Sequence, residues 1–403
     1  MGLARVLLAA GLLAPFVAHA ADPLHVKVGV ITDMAGSLSS QSGRGSVIAA
    51  EMAREDCLAG PCKGMDISII SADHRNDAAL ATSIVREWVD VQHVDAVTDI
   101  IQAAVQIAVQ HLMEQKNKIA LFPGGTARLT NEDCAPNTSV VWMWDTYGQA
   151  RGLIGPLAKP GSKWFFLAAD YAFGHGLVDD GTDIVKAAGG SVVGTVFHPF
   201  NFAGDFSSFL LQGQSSGANY MVVGSTGADL VNVLKVAHEF GIPRAPQQLV
   251  AFNLTLPDIA ALGQDVAQGV TTLEAFYWNM DPEARAWAER FYARHHAMPS
   301  TIQAGVYSVT LGYLKAVAAA GTTETKAVMA KLHQLPIKDA VVRNASLRPD
   351  GRMEHDAYLW KVKPPAQSKM PYDFYDLIAT VPANQAFRPL DRSLCPKDKW
   401  WHM

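Results

Sequence analysis

A turn of small residues is the part of this sequence best suited to binding chemistry. Residues 119–122 are all apolar, and the run ends in Pro123 followed by Gly124, Gly125 and Thr126. Glycines let a ligand approach the main chain, and free N–H groups at a helix start favour an anionic oxygen. Gln102 lies in a similar turn after the preceding apolar run. These residues predict a site for an anionic group, with an ordinary strand-to-helix turn as the alternative.

Aromatic side chains follow several other apolar runs and predict an apolar wall beside that site. Trp142 and Trp144 alternate with aliphatic residues in strand fashion, Tyr171 and Phe173 lie two apart in a predicted turn, and Phe276 ends a later run. A single aromatic residue at such a place more often belongs to the core than to a site. Together, in segments expected to converge, they favour contact with an apolar or aromatic ligand body.

Residue patterns for catalysis and metal binding are missing. The histidines occur without HxxxH or HxxE spacing, and no GxSxG motif or triad order accompanies the carboxylates. The glycine- and serine-rich stretch 36–45 lacks the Lys-Ser/Thr ending of a P-loop and does not fit GxGxxG. We therefore expect no enzyme activity, no metal site and no cofactor.

The elements that position these residues alternate between strands and helices. Residues 96–99 and 119–122 read as strands, and residues 105–113 between them have helical periodicity. This order predicts a parallel sheet with right-handed crossovers, in which ligands lie beyond the carboxyl ends of the strands. The same alternation restarts after Trp144, with strands expected at 163–168, 191–196, 220–223, 249–253 and 270–276. The chain is thus predicted to form two α/β lobes.

The ends and the composition of the chain indicate an exported protein. Arg5, a short apolar run and the sequence Ala18-His19-Ala20 form a signal peptide over residues 1–20, with cleavage predicted after Ala20. No later apolar run is long enough to cross a membrane. The net charge of −5 and the lack of a basic block argue against nucleic-acid binding.

Four cysteines in an exported chain predict two disulfide bonds, for which three pairings exist. Cys57 and Cys62 flank a Gly-Pro turn, so a local bond between them is natural. The remaining pair, Cys134 and Cys395, would then join the C-terminal tail to the first lobe. Zinc binding is the alternative, but the spacing lacks paired CxxC motifs.

Several segments, in this order and spacing, resemble one known family. KVGVITDMAG, FPGGTARLT, DYAFGHGLVDDGTDIVKAAGGSVVG and HPFNFAGDFSSFLLQGQSSGAN are similar to the solute-binding proteins of branched-chain amino-acid-type (Leu/Ile/Val-binding-like) ABC transporters. MPSTIQAGVYSVTLGYLKAV and DGRMEHDAYLW extend the likeness over nearly the whole mature chain.

The resemblance implies a type I periplasmic binding protein: two doubly wound lobes, joined by three crossovers, that close on a small ligand and dock on a membrane permease. Lobe 1 would comprise residues 24–145 and 277–352, and lobe 2 residues 146–276 and 353–393, with hinges near 145, 275 and 353. We expect a periplasmic monomer. A sensory ectodomain and an exported hydrolase are rival functions.

This sequence departs from the amino-acid-binding pattern of that family at two turns. The Ser-rich turn that takes the ligand carboxylate reads Ile101-Gln102-Ala103-Ala104 here, without a hydroxyl, and Asn253 stands where an acidic residue would take the ammonium. A neutral amide does not offset a buried ammonium, which would cost several kcal/mol. We therefore expect an aromatic or aliphatic carboxylate, with a branched-chain amino acid as the alternative. The end of this ligand opposite its carboxylate would meet Ser225, Thr226 and Asn253.

Overall fold

A computed structural model describes residues 22–242 and 247–402. The predicted signal peptide and its cleavage point therefore lie outside the described residues. Within them, two sheets of mainly parallel strands with helices on their faces form two lobes, which confirms the predicted α/β class.

The first sheet consists of five parallel strands in the order β2-β1-β3-β4-β5. Its strands are β1 His25–Thr32, β2 Asp66–Asp73, β3 Ala96–Thr98, β4 Ile119–Gly125 and β5 Ser139–Asp145. The helices between them are α1 Gly43–Leu58, α2 Ala78–Asp90 and α3 Ala103–Gln115. Most strand residues are buried, in keeping with a parallel sheet covered on both faces.

The second lobe begins at α4 Thr146–Ile154 and continues the strand–helix alternation. It comprises β6 Lys163–Ala169, α5 Ala172–Ala187, β7 Ser191–His198, α6 Ser207–Ser215, β8 Tyr220–Gly224, α7 Gly227–Glu239, β9 Gln248–Ala251, α8 Leu256–Leu262, α9 Gln264–Ala267 and β10 Thr271–Glu274. Helix α5 begins at Ala172, inside the segment for which the sequence predicts a turn. The prediction that Phe173 lies in an irregular turn is therefore wrong, because it lies in the first turn of α5.

The chain then returns to the first lobe. It forms α10 Pro282–His295, α11 Thr301–Ala320 and α12 Thr325–Gln334, followed by a short hairpin of β11 Ser346–Leu347 and β12 Met353–Glu354. Helix α11 packs on α1, β4 and β5, and β12 lies beside β5. The hairpin of β11 and β12 therefore packs with the first lobe.

Two antiparallel strands complete the second sheet. They are β13 Ala357–Val362 and β14 Tyr375–Val381, followed by α13 Ala383–Ala386, and the sheet order is β14-β13-β10-β9-β8-β6-β7. The second sheet is thus mixed, not wholly parallel. Beyond α13 the chain reaches the first lobe again, as the predicted bond between Cys134 and Cys395 implied.

Both predicted cysteine pairs form disulfide bonds in the structure. Cys57–Cys62 closes the turn after α1 with an S–S distance of 2.03 Å, and Cys134–Cys395 joins residues 261 positions apart. The second bond fixes the C-terminal segment to the first lobe.

Candidate functional site

The carboxyl ends of the parallel strands of both sheets face one cleft, and the two lobes touch across it. The backbone N–H of Ala228 in the second lobe donates to the carbonyl of Ser37 in the first at 3.3 Å. The Gln41 amide donates to the carboxylate of Asp258 at 2.7 Å, and both side chains are buried. The structure thus shows the cleft with its lobes in contact.

Neighbouring protein side chains occupy the space that Gly124 and Gly125 leave by lacking a Cβ. A Cβ on Gly124 would lie 2.3 Å from the indole nitrogen of Trp144, and a Cβ on Gly125 would lie 2.1 Å from the amide of Gln106. Gln106 in turn donates to the Gly124 carbonyl at 2.6 Å and accepts from the Thr126 N–H at 3.1 Å. The expectation of a free Thr126 N–H is therefore wrong, because Gln106 already occupies that donor.

From the described residues, the Thr126 hydroxyl accepts only one long bond, donated by the Arg128 N–H at 3.4 Å. Thr126 also lines a cavity of about 290 Å³ between the lobes. Across this cavity stand Ala172, His175 and Gly176 from the first turns of α5, whose N-terminal end carries partial positive charge.

The walls of the cavity carry charges of both signs. Arg128 pairs with Asp133 at 2.7 Å, and Arg388 pairs with Asp180 at 3.0 Å. Burial raises the pKa of the Asp180 carboxyl to about 7, and Arg388 opposes that shift. The remaining polar lining residues are Glu132, Thr146, His175 and Asp179.

Three of the predicted aromatic residues form one cluster at the lobe interface. The rings of Trp144 and Phe173 meet edge to face with centroids 6.3 Å apart, and Phe173 stacks on Tyr171 at 5.7 Å. Burial raises the pKa of the Tyr171 hydroxyl, and the nearby Thr226 side chain opposes that shift. The indole N–H of Trp144 has no acceptor within the described chain, so it is a buried donor beside the β4 turn.

Three other predicted site residues serve the protein interior. Trp142 is fully buried and donates from its indole nitrogen to Ser308 of α11 at 2.8 Å. Phe276 packs edge to face on Trp287 of α10, with centroids 5.5 Å apart. Ser225 is fully buried, and its hydroxyl bonds to His198 at 2.6 Å. These three side chains were expected to contact the ligand. In this structure Trp142, Phe276 and Ser225 contact other protein side chains.

Gln102 and Asn253 lie at the cleft edges of their sheets. The side-chain oxygen of Gln102 caps α3 by accepting from the Val105 N–H at 2.8 Å. The side-chain nitrogen of Gln102 bonds to none of the described residues. Asn253 adopts a left-handed backbone conformation, with φ of 48°, which Asn tolerates better than most residues. It is buried, and its side-chain oxygen has no donor from the described residues.

Sequence reasoning missed three buried carboxyl groups at this edge. Burial raises the pKa of Asp99, after β3, to about 8 and that of Asp258 to about 6. Burial and nearby Asp258 also raise the pKa of Glu274 well above its ordinary value, and the Thr301 hydroxyl opposes this only in part. No hydrogen bond of normal geometry from the described chain reaches either Glu274 oxygen. Asp99 directly follows β3, and Glu274 is the last residue of β10. A carboxyl group at the end of a predicted strand was the signal that could have identified both.

Two further features bear on function. Among residues 22–242 and 247–402, no group of His, Cys, Asp and Glu side chains is placed to hold a metal ion. No helix in those ranges has the length and apolar character needed to cross a membrane.

Comparisons with known proteins agree with this architecture. A family model described as periplasmic binding protein matches residues 25–369. The crystal structure of a periplasmic binding protein from Burkholderia mallei is 40% identical, with 93% of this chain and 99% of that chain covered and a TM-score of 0.86. No curated protein matches the sequence.

Two other solved structures are named for different compounds. A branched-chain amino acid ABC transporter periplasmic ligand-binding protein from Burkholderia xenovorans is 37% identical, with 93% and 100% of the chains covered and a TM-score of 0.83. A solute-binding protein from Rhodopseudomonas palustris in complex with benzoate is 16% identical, with 92% and 99% covered and a TM-score of 0.79, so it shows the fold alone.

The matches confirm the resemblance drawn from the sequence motifs. The chain belongs to the periplasmic binding protein family, the non-enzymatic substrate-binding proteins that work with ABC-transporter permeases.

Proposed function

We propose that this protein captures a small organic carboxylate, aromatic or aliphatic, between its lobes and delivers it to the permease. The observation that carries the proposal is the cavity where Thr126 of one lobe faces the start of α5 of the other. A ligand oxygen there would bond to the Thr126 hydroxyl and lie at the positive end of a helix dipole. It would contact both lobes and so favour their closure.

The aromatic cluster at the lobe interface supports an apolar ligand body. Trp144, Phe173 and Tyr171 are in mutual contact at the lobe interface. Aromatic walls with a few placed polar groups are typical of small-molecule sites. We propose that Gln102, Gly124, Gly125, Thr226 and Asn253 also face the ligand, and that Trp142, Ser225 and Phe276 support the site from behind.

An amino acid is the second candidate ligand. The relative that is 37% identical belongs to a branched-chain amino acid transporter. Glu274 offers two carboxyl oxygens without hydrogen-bond partners from the described residues, and an ammonium group would favour the ionised form of that carboxyl. Asn253 argues the other way, because it supplies an amide where the family resemblance implies a carboxylate.

Matched ligand pairs test the proposal directly. Leucine and 4-methylpentanoate, like phenylalanine and 3-phenylpropanoate, differ only by the amino group, so calorimetry on each pair isolates its contribution. We expect the acids without an amino group, and benzoates, to bind more tightly. Tighter binding of both amino acids would overturn the carboxylate proposal in favour of the second candidate.

Two protein variants also distinguish a simple carboxylate from an amino acid as the ligand. For a simple carboxylate, Asn253→Asp should weaken binding by charge repulsion, and Glu274→Gln should leave it unchanged. For an amino acid, Asn253→Asp should preserve or strengthen binding, and Glu274→Gln should weaken it at least tenfold.

The remaining expectations concern the mature protein as a whole. We propose cleavage after Ala20, a monomer, and the predicted lobe ranges with hinges near 145, 275 and 353. N-terminal sequencing and mass measurement of the exported protein test the first two. Scattering with and without a tight ligand tests closure, because an unchanged curve would contradict it.

A further inference from the structure

The loop between β7 and α6, residues 199–206, lies at the cleft edge of the second sheet. It follows His198, the last residue of β7, which pairs with Ala169 at the end of β6. Tyr171 comes two residues after Ala169, so the loop and Tyr171 leave neighbouring strand ends. This β7–α6 loop is therefore placed beside the aromatic cluster of the lobe interface.

Phe200 in the β7–α6 loop packs on Tyr171. The two ring centroids are 4.6 Å apart, and Tyr171 also stacks on Phe173 at 5.7 Å. Phe200 is only half-buried, and Tyr171 is the one aromatic ring that it contacts among the described residues. By contrast, Phe202 packs inward against the fully buried Phe206, with centroids 5.2 Å apart. Phe200 thus adds a fourth ring to the cluster without belonging to the core of the lobe.

The backbone that carries Phe200 is fixed by one buried carboxyl group. Asp229, in the first turn of α7, accepts from the N–H of Asn201 at 2.9 Å and from the N–H of Phe202 at 3.0 Å. Asn201 has a left-handed φ of 57°, which Asn tolerates better than most residues. The two residues that follow Phe200 are therefore held to α7, and this restricts where its ring can lie.

A buried histidine fixes the start of the same loop. The His198 Nδ1 lies 2.8 Å from the Pro199 carbonyl, and its Nε2 lies 2.6 Å from the Ser225 hydroxyl. A neutral imidazole satisfies both contacts, with Nδ1 donating to the carbonyl and Nε2 accepting from the hydroxyl. Burial lowers the pKa of His198, which favours this neutral form. All these contacts lie within the second lobe, so they do not depend on closure of the cleft.

We propose that Phe200 is a positioning residue that holds the Tyr171 ring against Phe173, and so fixes the aromatic wall that meets the apolar body of the ligand. A ring already held in place loses less side-chain freedom when the ligand binds, and this improves affinity. The inference rests on the proposed function, because Tyr171 must contact the ligand. It applies equally to a simple carboxylate and to an amino acid.

Calorimetry with 3-phenylpropanoate and phenylalanine tests the role of Phe200 in binding. Phe200→Leu should weaken the tighter complex by roughly two- to tenfold, because the aromatic contact with Tyr171 is lost. Phe200→Tyr keeps a ring and should restore the parent's affinity. Phe197→Leu is the matched control, since Phe197 is also half-buried but stacks on His175, with centroids 4.2 Å apart.

Two outcomes of this calorimetry are separate. Equal affinities for Phe200→Leu and the Phe197→Leu control would overturn the positioning role. Which of the two ligands the parent binds more tightly tests the proposed carboxylate function, and that ranking does not depend on Phe200.

A measurement without ligand tests the position of the Tyr171 ring directly. Burial raises the pKa of the Tyr171 hydroxyl. The titration can be followed by NMR of tyrosine labelled with ¹³C at Cζ, with the Tyr171 signal assigned by its loss in Tyr171→Phe. Phe200→Leu should lower this pKa towards the ordinary value of about 10, and Phe197→Leu should leave it as in the parent. An unchanged Tyr171 pKa in Phe200→Leu would contradict the proposal even if neither ligand binds.

Discussion

Gln41 and Asp258 form a buried hydrogen bond of 2.7 Å that joins the two lobes across the cleft. The Asp258 oxygen that accepts it also accepts from the Thr255 hydroxyl and N–H, which hold the carboxyl at the start of α8. Gln41 lies at the opposite wall, just before α1. This bond can form only while the lobes touch, so it links ligand capture to the closed arrangement.

Replacement of Gln41 should weaken ligand binding without weakening the fold. Gln41→Leu removes a donor to a buried carboxyl, worth about 1–3 kcal/mol, which corresponds to roughly a 5- to 150-fold lower affinity measured by calorimetry. Gln264→Leu is the control, because Gln264 bonds to Lys363 and Ser368 within the second lobe. Equal affinities for the Gln41 variant and the parent would show that this contact does not stabilise closure.

Asp99 should make the protein less stable as the pH rises from about 4 to about 8. Its pKa is about 8 in the folded protein, against about 3.9 in an unfolded chain. Between these values the folded state binds more protons than the unfolded state, so the free energy of unfolding falls with increasing pH.

Asp99→Asn keeps the size of the side chain and removes this titration. At each pH from 5 to 8, the variant should have a higher melting temperature than the parent. The difference between the two melting temperatures should be larger at pH 8 than at pH 5. A difference between variant and parent that does not change with pH would contradict the assigned titration.

Thr126→Val should reduce affinity for the bound ligand. The substitution keeps the volume but removes the hydroxyl that lines the cavity, and loss of one hydrogen bond to a charged group costs about 1.5–3 kcal/mol. Calorimetry should show a roughly 10- to 150-fold weaker complex. Thr310→Val, on α11 and buried without a partner for its hydroxyl among the described residues, should leave affinity unchanged.

Phe173 and Trp142 should separate ligand binding from stability. Phe173→Leu removes ring contact area at the lobe interface and should weaken binding several-fold, with the melting temperature lowered slightly. Trp142→Phe breaks the bond to Ser308 in the core and should lower stability by about 1–2 kcal/mol with unchanged affinity. The reverse pattern would mean that the site is wrongly placed.

Gly125→Ala should destabilise the first lobe. Its Cβ would lie 2.1 Å from the Gln106 amide, which bonds to Ile100, Gly124 and Thr126. Overpacking together with loss of a buried hydrogen bond should lower the free energy of unfolding by about 2–4 kcal/mol. Gly60→Ala is the control, since its nearest neighbour would be 3.7 Å away. Denaturant titration of both variants checks the difference.

The sequence by itself determined the features that depend on local pattern. Apolar runs of strand length alternating with helical periodicity were enough to predict both α/β lobes, because these patterns reflect which faces are buried. The Gly-Pro turn between Cys57 and Cys62 pointed to a local disulfide, and elimination gave Cys134–Cys395. The order of the motifs gave the family.

Only the tertiary structure decided which side chains face the cleft. Trp142 and Trp144 lie on one strand, yet Trp142 bonds to Ser308 in the core while Trp144 reaches Phe173 of the other lobe. The Gln106 side chain fills the space that Gly125 leaves by lacking a Cβ. No sequence pattern around Gln106 indicates this contact. These outcomes, like the pairing of Gln41 with Asp258, depend on contacts between residues far apart in sequence. No local periodicity encodes such contacts, because they arise when separately formed lobes and helices pack together.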